Sequence, residues 1–258
     1  MSASSGAAVP GELDGAVTVV TAAQTGIGRG LALAVSGAGA CVALLGDPEA
    51  LAPAVAEIEA RDGRAVAIDV SFGTRDDVRQ AFDEAADELG GPVTGVVHTW
   101  MPPEAFERGP LEQVDDDRWN AVWEGAMQAA LFVLQAGYAP MRAAGHGRFV
   151  FVTPTIALSG AEQLVPYTAA VEGQRVLAKS AARQWGPDGI TVNCVAPAPE
   201  LVPVGVDSMV VSLAPPALGR AGDAETDLGA VVVSLLGERG AFLTGLTLCA
   251  DGGVWMAP

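Results

Sequence analysis

The sequence predicts a doubly wound α/β domain, with a parallel sheet held between two layers of helices. Three observations point to it. Short apolar runs rich in β-branched residues alternate with helix-length amphipathic stretches. Runs such as VTVV (17–20) and FVFV (149–152) are almost continuously apolar instead of alternating, the pattern of strands buried on both faces. The first of these runs leads at once into a glycine-containing turn that opens a helix, as in nucleotide-binding sheets.

In chain order, strands are expected over Ala16–Thr21, Cys41–Leu45, Ala65–Asp69, Gly95–His98, Arg148–Thr153, Thr191–Val195 and Leu246–Ala250. Six helix candidates lie between them, including Asp116–Ala144 and Tyr167–Trp185. Residues 1–15 have neither a basic start nor an apolar stretch, so they are expected to be a disordered tail and not an export signal. A single domain is expected over 16–258. Within it the proline-rich segment Pro197–Gly222, with exposed-looking residues such as Leu201, Val202 and Met209, is expected to be a mobile lid over a pocket for something apolar.

Composition excludes several functions. Of 258 residues 50% are hydrophobic, yet no uninterrupted apolar run is long enough to span a bilayer. Thirty-one acidic against 14 basic residues leave a net charge of −17, which repels nucleic acid and anionic lipid. Three scattered cysteines and two histidines make neither a disulfide framework nor a metal site, so a cytoplasmic protein without metal is expected.

The chemistry-bearing segments are Thr21-Ala22-Ala23-Gln24-Thr25-Gly26-Ile27-Gly28 after the first strand, Asp69-Val70 after the third, Tyr167 opening a late helix, GPDGITVNCVAPAP, and FLTGLTLCADGG near the end. Together they resemble the short-chain dehydrogenase/reductase family from about Ala16 to Gly253. The resemblance implies a seven-stranded Rossmann-type sheet, NAD(H) or NADP(H), and interconversion of alcohols and ketones. It also implies cofactor contacts from Thr21, Gln24, Gly26, Ile27, Gly28, Asp47, Asp69 and Val70. Several of these have a second reading. Gly26 and Gly28 also suit close helix–strand packing, and Asp47 suits either a ribose contact or the cap of the next helix. An acid there repels a 2′-phosphate, so the expected cofactor is NAD or none, with NADP disfavoured.

The departures from the family pattern carry more information. Its first glycine is Ala22 here. Where it has NNAG after the fourth strand, this chain has His98-Thr99-Trp100-Met101, whose large side chains either fill cofactor space or are turned aside by a rearranged loop. Tyr167 matches the family's proton-transferring tyrosine, but the serine thirteen residues earlier is Pro154, so Thr155 supplies a hydroxyl only if the loop is one residue shorter. The lysine four residues later is Val171. The only lysine, Lys179, lies about 18 Å further along the helix axis. The asparagine of the preceding helix is Ala126. Groups that act as a unit are missing together, which predicts lost redox catalysis.

Three functions follow. The leading one is a catalytically silent subunit that forms a homo-oligomer, or a hetero-oligomer with an active family member, through helices 116–144 and 167–185. The second is an NAD(H)-dependent alcohol/ketone oxidoreductase with displaced catalytic groups. The third is a cofactor-free lyase, isomerase or cyclase resting on Tyr167, Thr155, His98 and Glu172, where His98 is read either as a base or as a structural histidine.

Overall fold

The computed structural model describes residues 11–24, 26–202 and 215–256. Among these, seven strands form one parallel sheet: β1 (Val17–Thr21), β2 (Cys41–Gly46), β3 (Arg64–Asp69), β4 (Val93–His98), β5 (Gly147–Val152), β6 (Ile190–Pro197) and β7 (Thr247–Ala250). Their order is β3-β2-β1-β4-β5-β6-β7. The chain builds outward from β1 in one direction and then returns to build from β4 in the other. The crevice for ligands in such a sheet lies where the order reverses, at the carboxyl ends of β1 and β4.

The helices are α1 (Gly26–Gly37), α2 (Pro48–Glu59), α3 (Arg75–Leu89), α4 (Asp116–Ala144), α5 (Thr155–Ser159), α6 (Val165–Trp185) and α7 (Gly229–Leu236). Successive residues along a central strand enter opposite cores, which is why those strands are apolar throughout. Val19, Val96, Phe149 and Phe151 pack with α3, α4 and α6, while Val20, Val97, Val150 and Val152 pack with α1, α2 and α7. A third apolar cluster joins Tyr167 and Val171 of α6 to Ala126 of α4 and to Ile156 and Leu164. It sits at the carboxyl end of the sheet and forms the floor of the site.

Local chemistry sets the helix ends. Asp47, Thr74 and Asp115 cap α2, α3 and α4 by accepting backbone N–H bonds, and left-handed Gly90 and Gly145 end α3 and α4. The packed chain begins before Ala16. Residues 11–15, expected as tail, make a turn in which Leu13 is buried and its N–H donates to Ala38 O at 2.9 Å. Residues 1–10 lie outside the described residues. So does the middle of the expected lid, 203–214, with Met209; the flanking Pro199 and Val202 are buried. No helix among the described residues is long and apolar enough to cross a membrane.

The turn between β1 and α1 separates the two readings of its glycines. A Cβ on Gly28 would lie 2.3 Å from the Ala22 carbonyl oxygen, so this glycine is required by packing alone. A Cβ on Gly26 would meet nothing within 4 Å. Gly28→Ala is therefore expected to cost about 1–3 kcal/mol and Gly26→Ala less than about 0.5 kcal/mol, as read from urea-unfolding midpoints.

Candidate functional site

One buried hydroxyl assembles the crevice. Thr21 Oγ1, at the end of β1, accepts the backbone N–H of Thr99 at 2.9 Å and of Trp100 at 3.1 Å, and lies 3.3 Å from His98 Nδ1. The Thr99 hydroxyl donates in return to the Thr21 carbonyl oxygen. With two N–H groups on its oxygen, Thr21 has its own proton left for Nδ1, so neutral His98 carries its hydrogen on Nε2. That atom is buried without a partner, and the ring packs against Phe151 with centroids 5.1 Å apart. Burial holds the imidazole at about 3, so it is neutral across the physiological range.

The clamp borders a cavity of about 180 Å³. Ala22, Gln24 and Ile27 of the glycine turn form one side, Thr99, Trp100 and Met101 the second, and Pro103 and Phe106 the third. Val152, Pro154, Tyr167 and Val202 complete it. His98 is not part of this wall. Tyr167, 3% exposed, packs against Phe106 at 5.7 Å between ring centroids, and burial pushes its phenol well above the ordinary tyrosine range. Val171, in the helical turn that follows it, is 1% exposed and wholly apolar.

Of the expected catalytic pair, the fold brings only Tyr167 to the cavity. The Thr155 hydroxyl is fully buried and donates to Pro197 O at 3.0 Å, tying α5 to the end of β6, so the hydroxyl expected to replace the serine is committed elsewhere. Glu172 pairs with Arg175 (Nε–Oε1 3.0 Å) on α6. The four groups of the lyase reading are thus dispersed. Lys179 lies in a separate groove with Arg183 and Thr244.

Two buried polar side chains were not singled out in the sequence. Gln174, 2% exposed, donates from Nε2 to Ala126 O at 3.2 Å and lies 3.6 Å from the Met101 sulfur, tying α6 to α4 behind Tyr167. Arg175, 3% exposed, donates from Nη2 to Thr153 O at 3.1 Å and steadies the end of β5. Burial raises the Cys194 thiol, and the Arg175 charge partly offsets this; the shift of Tyr167 has burial as its only cause. A polar residue at an inward helical position was the available signal for both.

The expected cofactor contacts divide in the same way. Thr21 is the clamp, Gly28 is a packing glycine, and Ile27 and Gln24 line the cavity. Asp47 is the N-cap of α2, accepting from Glu49 N at 3.0 Å. Asp69 is exposed at the end of β3, and Val70 is buried with its N–H on Gly46 O. Trp100 is turned onto Phe72, centroids 4.9 Å apart, while still lining the cavity. Ala22 adopts a left-handed φ of 56°, a conformation suited to glycine.

Against a nicotinamide dinucleotide, the fit is partial. The open space at Gly26, on the first turn of α1, suits a phosphate-bearing group. Beside Tyr167 the fit fails, because Pro154 and Val171 supply neither hydroxyl nor cation and the cavity is smaller than the several hundred Å³ usual for a small-molecule site. No cluster of metal-ligating side chains occurs among the described residues.

Comparison with known proteins is consistent with this architecture. The family model described as enoyl-(acyl carrier protein) reductase matches residues 21–255. L-Rhamnose 1-dehydrogenase (NAD(P)(+)) of Sphingomonas sp. (strain SKA58) is 31% identical, over 95% of this chain and 98% of that protein. The 3-oxoacyl-(acyl-carrier-protein) reductase FabG of Vibrio harveyi is 27% identical, over 95% and 99%. A solved structure from Sinorhizobium meliloti 1021, described as a short-chain alcohol dehydrogenase, superposes with a TM-score of 0.84 at 30% identity, covering 95% of this chain and 98% of that one.

His98 gives the site a pH signature. Its ordinary value is 6.5, so as the pH falls below that the unfolded chain gains a proton that the folded chain refuses until about 3. This contribution is complete above pH 6.5 and is lost towards pH 3, at up to about 1.4 kcal/mol per pH unit. Denaturant midpoints between pH 7 and 4 are expected to fall more steeply in the native chain than in His98→Leu.

Proposed function

The chain belongs to the short-chain dehydrogenase/reductase family, and within it we propose a member silent in alcohol–ketone redox chemistry, retained as a structural or regulatory subunit. One observation carries the proposal: the wall around Tyr167. Proton transfer at a substrate oxygen needs a phenol whose ionisation is within reach, and Pro154 in the wall, the buried Val171 one helical turn on and the burial of the phenol all work against it. Even at the unperturbed value of about 10, on the order of one tyrosine in a thousand is ionised at pH 7, and burial lowers that fraction further.

The subunit role is supported by the outer faces of α4 and α6. Trp119 and Trp123 stack with centroids 6.2 Å apart at 3° and remain 38% and 39% exposed, and Val176 of α6 is 62% exposed. Large apolar side chains so exposed suit burial against a second copy or an active family member. Three free cysteines suit a reducing, cytoplasmic compartment. The domain reading stays one unit over 16–258, extended to begin at residue 11.

A second reading, an NAD(H)-dependent oxidoreductase with displaced groups, is favoured by the open space at Gly26 and by the dehydrogenase and reductase activities for which the relatives are named. NAD is preferred in it, since Asp47 repels a 2′-phosphate. Turnover of secondary alcohols, sugars and ketones with NAD+, NADH, NADP+ and NADPH separates the readings. The purified chain is expected to show none above background. Turnover that Tyr167→Phe abolishes would overturn the silent reading. For the subunit role, Trp123→Glu is expected to lower the molar mass seen by light scattering while leaving the unfolding midpoint within a few degrees.

A further inference from the structure

We infer that the groove between α6 and the loop ahead of β7 is a binding site for a phosphate dianion, either free phosphate or the end of a phosphomonoester. Lys179, Ala182, Arg183, Thr244 and Gly245 line it, and it shares no residue with the cavity at Tyr167. The inference therefore stands apart from the silent reading of that cavity.

Charge pairing in this chain is nearly complete. Acids outnumber bases 31 to 14, and among the described residues every basic side chain but two has a partner in the fold. The exceptions are Lys179 and Arg183, both exposed and one helical turn apart on α6, and both line this groove. Like charges at that spacing repel and cost the helix stability. No carboxylate lines the groove to relieve them, although the chain has acids to spare.

Thr244 supplies a third donor on a rigid mount. Its oxygen accepts the Val192 N–H at 3.1 Å, so its own proton is left for a ligand. The loop around it is laced to β6: the Gly245 N–H donates to Val192 O at 2.8 Å, Asn193 Nδ2 to Leu243 O at 2.8 Å, and the Leu246 N–H to Asn193 Oδ1 at 3.2 Å. Ala178 and Ala181 of α6 are buried in the same core as Val192, so helix and loop face each other across a fixed gap.

An ammonium, a planar guanidinium and a hydroxyl, all donors, match the oxygens of a tetrahedral phosphate. The groove, about 500 Å³, is as large as ordinary small-molecule sites and has room beside Ala182 for the organic part of an ester. A net charge of −17 repels anions from the chain as a whole, so binding here is a property of the two cations and not of the general field.

The test is isothermal titration calorimetry of the full chain with inorganic phosphate and with glycerol 3-phosphate at about pH 7.5, where both are mostly dianions, with sodium chloride at matched ionic strength as the blank. Both are expected to bind at about 1 mM or tighter. Lys179→Gln and Arg183→Gln are each expected to weaken binding at least about 3-fold, and the double variant to abolish it. Arg79→Gln, which removes an exposed cation already paired with Asp83, leaves it unchanged. The groove variants relieve a repulsion, so without phosphate their thermal midpoints stay level or rise, which separates lost binding from lost folding.

Tighter binding of the ester assigns the groove to a phosphomonoester and equal binding assigns it to free phosphate; both results support the site. No heat beyond the sodium chloride blank, or full binding by the double variant, overturns it. If phosphate fails to bind and the double variant also has a lower molar mass by light scattering, the two cations are paired with acids of a second copy and the phosphate assignment falls.

Discussion

The architecture of the site depends on the Thr21 hydroxyl. The sheet changes direction between β1 and β4, and no backbone ladder extends past their carboxyl ends to hold the two segments that leave them. One buried oxygen takes over, engaging two N–H groups and an imidazole at once. Removing it would leave the buried His98 Nδ1 and two partly buried N–H groups unpaired, at a cost of about 1–3 kcal/mol for the buried group and less for each of the others. The glycine turn on one side of the cavity and the Thr99–Met101 wall on the other are therefore placed relative to each other by the Thr21 hydroxyl and the returning bond from the Thr99 hydroxyl.

This explains how much of the family likeness resides in positions that the fold itself requires. Thr21 is the clamp, Gly28 avoids a backbone collision, Asp47 caps a helix, and Val70 is core. Each of these positions has a job in stability that is indifferent to any nucleotide. Among the positions that depart from the family pattern, Ala22, Trp100, Met101 and Pro154 line the cavity, and Ala126 and Val171 are buried in apolar surroundings that accept an aliphatic side chain. Ala22 has a left-handed backbone that glycine would adopt freely, a conformation it shares with Asp62, Phe72 and Gln163.

The seven strands were legible because two-sided burial writes itself into the sequence as unbroken apolar runs, and their ends shift by at most two residues, as at β4, which starts at Val93 and not Gly95. That Pro154 stands thirteen residues before Tyr167 and Val171 four after it was legible from spacing along a single segment. What spacing does not reveal is how one helix turns against another. The Gln174 bond to Ala126, the Arg175 bond to Thr153 and the diversion of the Thr155 hydroxyl to Pro197 join residues 22 to 48 positions apart, and depend on rotations no periodicity encodes. Residues 11–15 were misjudged for a related reason: a single buried Leu13 anchors an otherwise polar turn.

The stacked Trp119–Trp123 pair stands just after Asp115, Asp116 and Asp117, on a chain of net charge −17. Two such surfaces attract only at contact, where the indoles lose water, and repel at every longer distance. At an ionic strength of 0.15 M the field decays over about 8 Å, so added salt removes the long-range barrier and leaves the contact attraction in place. Self-association through this face would thus tighten with salt, in contrast to interfaces built on opposite charges, which salt loosens.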